Sequence, residues 1–218
     1  MRKTLYIIAA ALIIVAISSL SGLDIWVSNL FYQQDSSPQW IYSKYFLWVF
    51  LYKYGPYFPL SIGILSLLFF CFSLFIKKFK PCRIKATFAL LLLLLAPGLI
   101  VQNLKISWSR PRPSETITFG GKYEYSTPFK PNFKFMWNKS ECNSFPSGHA
   151  AIGFYTLILY FIFKRKRLLL VMGLIYGGLM GAGRIIQGGH FFSDVLASLF
   201  IVYITAELLK IVFFPKME

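Results

Sequence analysis

The sequence predicts an all-α, polytopic membrane protein built as a six-transmembrane-helix bundle. Of the 218 residues, 56% are hydrophobic and only 14% are charged, and the mean hydropathy is +0.59. This composition is more apolar than that of a typical soluble domain. Apolar stretches approaching the roughly 20 residues that a spanning helix needs recur along the chain. We therefore expect residues 1–218 to form one integral membrane domain.

Six apolar stretches are the predicted transmembrane helices: Thr4–Leu20, Phe58–Ile76, Ala86–Leu104, Ala150–Phe163, Leu168–Gly183 and Phe192–Phe214. The first could be a signal peptide, but no clear small-x-small cleavage site follows it, so we interpret it as an uncleaved span. The fourth and fifth are short for a bilayer core. Pro97 predicts a kink in the third span, because proline removes a helical hydrogen bond.

The charges between the spans predict the orientation of the bundle. Lys and Arg number 23 against 8 Asp and Glu, a net charge of +15. The basic residues form four clusters, at 2–3, 77–85, 164–167 and 216, and six spans place all four on one side. The positive-inside rule makes that side, and both termini, cytoplasmic. This placement explains the charge better than nucleic-acid binding does.

Polar motifs mark the opposite ends of the helices. His190 and Asp194 are separated by i, i+4, which predicts one helix face on which the carboxylate orients the imidazole. One ring nitrogen is then free to act as a nucleophile. A histidine with a first-turn charge partner is the alternative interpretation. The preceding Gly188 and Gly189 allow close approach of a ligand to the backbone.

A second motif, Pro146-Ser147-Gly148-His149, precedes the fourth span. Ser147 and Gly148 are expected to present backbone N–H groups at a helix N-terminus, where phosphate binds. His149 is the candidate general acid for a departing alkoxide. The alternative is a simple helix cap followed by an interfacial histidine.

Three cations complete the predicted site. Lys105, Arg112 and Arg184 can bind phosphate oxygens and stabilise charge in the transition state. Arg110 is the spare cation, and a surface or headgroup contact is an equal alternative for it. Two histidines, few carboxylates and three cysteines without a CxxC motif predict neither a metal site nor a cofactor.

Three motifs in this order carry a family resemblance. Lys105-x6-Arg112-Pro113, Pro146-Ser147-Gly148-His149 and Arg184-x5-His190-x3-Asp194 together resemble the signature of the type 2 phosphatidic acid phosphatase (PAP2) family. The resemblance implies that His190 forms a phosphohistidine, Asp194 orients it and His149 is the general acid. It implies phosphate binding by Lys105, Arg112, Ser147, Gly148 and Arg184. The family often has Ser where this chain has Gly183.

Shorter matches resemble the bacterial lipid A phosphatases, especially the 4′-phosphatase branch. They include Gly22-Leu23-Asp24, Phe31-Tyr32 and 96–101. The resemblance implies a lipid A phosphatase of the bacterial inner membrane, with its active site facing the periplasm. Undecaprenyl diphosphate or phosphatidylglycerophosphate are alternative substrates. A lipid-to-lipid phosphotransferase and a non-catalytic lipid-binding protein remain alternative functions.

Two long segments lie on the predicted periplasmic side. Residues 24–57 are rich in Trp and Tyr, which favour the headgroup layer, and part of this segment is predicted to be an interfacial helix. Ser114–Ser144 is long for a turn between spans. Its lysines and aromatic residues predict a loop that covers the active site and contacts a second anionic group. A solvated connecting loop is the alternative.

Overall fold

The computed structural model describes residues 2–34, 39–131, 142–163 and 166–214, and these are mostly helical. Ten α-helices occur in these ranges: α1 Arg2–Leu20, α2 Leu23–Asn29, α3 Phe46–Tyr54, α4 Tyr57–Phe75, α5 Arg83–Leu93, α6 Val101–Trp108, α7 Gly148–Phe154, α8 Ile158–Ile162, α9 Arg167–Ile186 and α10 Phe192–Phe213. Two short antiparallel strands, β1 Tyr32–Gln33 and β2 Gln39–Trp40, form a hairpin after α2.

Each predicted span coincides with a helical stretch, but not every stretch is long and apolar enough to cross a membrane. Among the described residues, four helical stretches are long and apolar enough to cross a membrane: Phe46–Phe75, Lys77–Glu115, Arg167–Ile186 and Phe192–Phe213. The first predicted span is a fifth if Leu5–Leu20 and Leu23–Asn29, bent by 60°, count as one. The fourth corresponds to the shorter Gly148–Ile162. At 1.5 Å per residue this stretch is roughly 22 Å long, below the thickness of a bilayer core.

The helix around Pro97 continues through a π-helical segment, Leu94–Ile100, that joins α5 to α6. The wider turn accommodates the proline ring and its missing N–H within one continuous helix. Residues 24–57, part of which is predicted to be an interfacial helix, contain α3, which forms one apolar 30-residue helix with α4. It therefore leads directly into the second predicted span.

The core lies where α5, α7, α9 and α10 pack together, around Phe88, Phe154 and Val202. Glycines allow α7 and α9 to approach closely. A Cβ on Gly153 would lie 2.9 Å from the Cα of Gly177, so no larger residue fits. This close packing of small residues, common between membrane helices, sets the start of α7 beside the end of α9.

Candidate active site

The three sequence motifs meet at one end of the bundle. Lys105 lies in the last turn of α6, and a Cβ on Gly148 at the start of α7 would be 3.6 Å from its Nζ. The charge of Arg184, near the end of α9, acts on both Lys105 and His149. Residues far apart in the sequence therefore lie around one space at the helix ends.

His190 is held in one tautomer by the backbone. It is 3% exposed, and its Nδ1 lies 2.6 Å from the carbonyl oxygen of Ser144. A carbonyl oxygen only accepts hydrogen bonds, so Nδ1 carries the hydrogen and donates it. The lone pair is therefore on Nε2, which forms no hydrogen bond with the described part of the chain. Burial is the main cause that lowers the pKa of His190 to about 4, so the ring is neutral near pH 7.

The predicted direct bond between His190 and Asp194 is wrong. His190 precedes α10, whose first helical residue is Phe192, so the two residues do not share a helix face. The distance from His190 Nδ1 to Asp194 Oδ2 is 3.7 Å, too long for a hydrogen bond. Asp194 Oδ2 instead accepts from Ser144 Oγ at 2.5 Å and from the Phe191 amide at 2.8 Å. The carboxylate therefore reaches the imidazole through Ser144.

Arg110 is the largest departure from the sequence prediction. It is 1% exposed and forms ion pairs with Asp194 and with Asp24 of α2, so the alternative of a surface or headgroup contact is wrong. Of its partners, the sequence analysis noted Asp24 only as a family mark and did not consider Ser193. The available signal was a charge at the edge of an apolar span, since a charge buried there must be paired.

Three cations line the space around His190. Lys105 forms no ion pair or hydrogen bond with the described residues. The Nε atoms of Arg112 and Arg184 are buried and lack hydrogen-bond partners there. Arg184 Nη1 donates to Gln187 Oε1 at 2.5 Å, whereas Arg112 Nη1 lies 3.9 Å from Glu115. Buried donors without acceptors are costly, and an anion bound between these side chains would satisfy them.

Aromatic rings hold the general-acid candidate and one of these cations. The His149 ring stacks on Tyr52 of α3, with centroids 4.8 Å apart and planes inclined by 19°. The Arg184 guanidinium carbon lies 4.7 Å from the centroid of the same tyrosine ring. Sequence reasoning assigned the aromatic segment to the membrane interface and missed this role of Tyr52.

Ser147 has a structural role at the start of α7. It is fully buried, is the N-cap residue and accepts a hydrogen bond from the Ala150 amide at 3.4 Å. Its own amide donates to the Asp194 carbonyl oxygen at 3.3 Å. The cap thereby joins the second motif to α10. The amides of Gly148 and His149 fall in the first helical turn, which has no intrahelical acceptors.

Glycines admit the side chains that form the site. Gly188 has φ +66°, and a Cβ there would be 2.6 Å from Cζ2 of Trp40. A Cβ on Gly189 would be 2.7 Å from the Arg184 guanidinium carbon. At Gly183, where the family often has serine, a Cβ would be 3.2 Å from Trp48 Cε3. The Trp48 ring therefore fills the side of α9 that a serine would present.

Comparison with known proteins agrees with the motifs. The sequence model of the PAP2 superfamily matches residues 86–218 of this chain. A lipid A 4′-phosphatase of Francisella tularensis subsp. novicida (strain U112) is 33% identical over 205 residues, covering 90% of this chain and 89% of the relative. No solved structure matches. The matched region contains all three motifs, and with the extent of this similarity it shows that the chain belongs to the PAP2 superfamily.

Proposed function

We propose that this protein is a bacterial inner-membrane lipid phosphatase that hydrolyses a phosphate monoester of lipid A or a related lipid phosphate. The observation that carries the proposal is the state of His190. Its Nδ1 is bound to the Ser144 carbonyl oxygen at 2.6 Å, and its free Nε2 belongs to a site with three cations. A neutral nucleophile beside several fixed positive charges suits transfer of a phosphoryl group.

In the first step, His190 Nε2 attacks the phosphorus and the bond from phosphorus to the lipid oxygen breaks. Lys105, Arg112 and Arg184 hold the non-bridging oxygens, whose charge they stabilise. The negative charge of the bound phosphate favours the protonated form of His149, which donates a proton to the departing alkoxide. The products of this step are a dephosphorylated lipid and a phosphohistidine.

In the second step, water attacks the phosphorus and the bond to His190 Nε2 breaks. Neutral His149, which lost its proton in the first step, now accepts one from that water. Inorganic phosphate leaves, and His149 is again protonated. The Nδ1–H bond to Ser144 persists throughout, so His190 returns to the tautomer with which the cycle began.

We propose that the reaction needs no metal ion. The three cations supply positive charge where metal-dependent phosphatases use divalent ions. Within the described ranges, no group of three or more His, Cys, Asp or Glu side chains is arranged to hold a metal.

An apolar groove supports a lipid substrate. It has a volume of about 570 Å³ and runs between α1 and α10 to Trp108 of α6. Phe145, which lies two residues before Ser147, lines the same end of the groove and packs on Trp108 with ring centroids 5.6 Å apart. An acyl chain in this groove would have its headgroup end near the second motif. The lipid A 4′-phosphatase relative makes lipid A the substrate to test first.

We propose six spans, with the bent α1–α2 pair as the first and Gly148–Ile162 as the fourth. The basic clusters then lie in the cytoplasm with both termini, and the active site faces the periplasm. The short fourth span begins at the buried motif Pro146–Ser147, so its end is covered by protein and does not need to reach the headgroups. Residues 114–131 lie on the same side, and Ser114 donates to the Gly188 carbonyl oxygen at 3.0 Å. We propose that this segment is part of the wall over the site.

The function is tested by a phosphate-release panel in detergent. Lipid A, undecaprenyl diphosphate, phosphatidylglycerophosphate and phosphatidic acid are compared, and mass spectrometry locates the phosphate lost from lipid A. Transfer of label to a second lipid instead of to water would identify a phosphotransferase. Saturable lipid binding without phosphate release would identify a binding protein. His190→Ala is the control, and it should abolish turnover while the protein remains folded.

A further inference from the structure

Arg110 makes use of every hydrogen-bond donor that it has. Nε donates to the Ser126 carbonyl oxygen at 2.8 Å. Nη1 donates to Ser193 Oγ at 2.9 Å and to Asp194 Oδ1. Nη2 donates to Asp24 Oδ2 at 2.8 Å and to the Tyr125 hydroxyl at 3.3 Å. A guanidinium has five N–H groups, so this arginine is held in one position and has no donor left for phosphate.

Asp24 fixes the far side of this arginine. Its Oδ1 accepts from the Ser193 amide at 2.8 Å, and its Oδ2 accepts from Ser193 Oγ at 2.6 Å and from the Tyr125 hydroxyl at 3.0 Å. Burial raises the pKa of Tyr125, so this hydroxyl keeps its proton and donates. Asp24 is fully buried and joins α2 to the first turn of α10.

A continuous path of hydrogen bonds connects this pair with His190. Asp24 holds Arg110, Arg110 holds Asp194, and Asp194 accepts from Ser144 Oγ. The carbonyl oxygen of Ser144 then accepts from His190 Nδ1. Displacement of Arg110 would leave Asp194 Oδ1 without its ion pair and would weaken the restraint on the carboxylate that holds Ser144.

The pair also belongs to a buried cluster of charges behind the imidazole. Asp24, Arg110 and Asp194 together carry one net negative charge. The charges that act most strongly on His190 are those of Asp194, of Lys105 on α6 and of Arg184 on α9. A change at Arg110 or Asp24 alters the electrostatic balance at His190 without removing any group proposed to bind phosphate.

We propose that Asp24 and Arg110 are positioning residues that set the tautomer and charge state of His190 through Asp194 and Ser144. The proposal rests on the proposed function for its catalytic consequence, but not for its effect on the histidine itself. Neither residue contacts the proposed phosphate site directly. Both act from behind the nucleophile.

The test compares three variants at the pair: Arg110→Gln, Asp24→Asn and the double variant. The buried cluster then carries net charges of −2, 0 and −1, and wild type carries −1. The double variant restores the net charge and allows an Asn–Gln hydrogen bond, so it keeps the proposal testable if Arg110→Gln lowers the folded fraction. Arg83→Gln is the matched control, because the Arg83 side chain bonds only Ser73 among the described residues, at the opposite end of the bundle.

The first measurement is ¹⁵N NMR of the histidine rings in detergent micelles. The chain has only two histidines, so His149→Gln assigns both signals. Wild type should show the Nδ1–H tautomer for His190. Arg110→Gln should raise the pKa of His190 by at least one unit, and Asp24→Asn should lower it, because each changes the nearby charge in that direction. The double variant should titrate like wild type but lose the single tautomer.

The second measurement is turnover of the lipid phosphate by folded protein, with the folded fraction determined by thermal unfolding. We expect the double variant to lose at least tenfold in kcat with KM changed less than twofold, and Arg83→Gln to match wild type. Unchanged tautomer and kcat in the folded double variant, or an unchanged pKa of His190 in the folded single variants, would overturn the proposal. So would a loss explained entirely by a smaller folded fraction. A wild-type protein that releases no phosphate would overturn the proposed function, while NMR would still decide the positioning role.

Discussion

Substitution of Gly189 by alanine tests how the site holds its arginine. The added Cβ would lie 2.7 Å from the Arg184 guanidinium carbon, well inside van der Waals contact. Gly189 has no positive φ, so alanine fits its backbone. The atom that it displaces is the end of a long, flexible side chain. We therefore expect the protein to fold, with Arg184 moved away from its bond to Gln187 and from the ring of Tyr52.

The size of the effect follows from the loss of one charged donor at the developing negative charge. Removal of such a donor raises the barrier by about 2.7–4 kcal/mol, which corresponds to roughly 10²–10³ in kcat. Gly189→Ala should approach this loss, and Arg184→Ala should equal it. Since both changes remove the same contact, the double variant should lose little more than either single variant.

The assay is release of inorganic phosphate from the lipid substrate at saturating concentration, by protein whose thermal unfolding matches wild type. Gly178→Ala is the control, because a Cβ on this glycine of α9 meets nothing within 4 Å. It should keep wild-type activity. Turnover by Gly189→Ala within threefold of wild type would refute the reasoning. Fully additive losses in the double variant would do the same, since they would place Arg184 outside the affected contact.

Four further predictions follow from the same site. Burial lowers the pKa of His190 to about 4 from an ordinary 6.5, so the acidic limb of kcat/KM should lie near pH 4. In the unfolded chain this histidine is protonated at a higher pH than in the folded protein. The free energy of unfolding should therefore fall as pH drops from about 6.5 to 4, and thermal unfolding at a series of pH values measures this fall. Activity should survive EDTA; loss on chelation and recovery with a divalent ion would indicate a metal mechanism. In a cysteine-free background, an impermeant thiol reagent should label Thr118→Cys but not Lys78→Cys in intact spheroplasts, both positions being exposed; the reverse pattern would invert the topology. Lys130→Ala should weaken turnover of a multiply charged lipid more than of a small soluble phosphate ester, because Lys130 lines a polar cavity of about 510 Å³. Lys122→Ala is the control and should have less effect, since Lys122 does not line that cavity. Equal losses on both substrates would exclude a role of this segment in recognising the lipid.

The described part of the segment proposed to cover the site, residues 114–131, packs on the turn at Gly188. The Tyr125 hydroxyl of this part donates a hydrogen bond to Asp24 Oδ2. Lys134 and Lys139 lie outside the described residues, as do the aromatic residues Phe133, Phe135 and Trp137. The prediction that the whole segment contacts a second anionic group therefore stays a prediction.

The sequence by itself determined the helical class, the helix positions and the meeting of the motifs. Long apolar stretches form helices in a membrane because their backbone groups must be paired internally. The predicted bounds differ from the observed helices by a few residues, as at Leu168–Gly183 against Arg167–Ile186. The three motifs were found because phosphate chemistry requires particular side chains at helix ends.

Only the tertiary structure decided how these side chains are supported. The i, i+4 spacing of His190 and Asp194 suggested a direct bond. His190 instead precedes the helix, which begins at Phe192, and Ser144 bonds to both side chains. Periodicity describes neighbours within one element, and Arg110 is paired with residues more than 80 positions away in either direction. Sequence patterns identify which charges stand near a membrane span. Which of them are buried together depends on how the helices pack, because burial obliges each charge to find its partner in space.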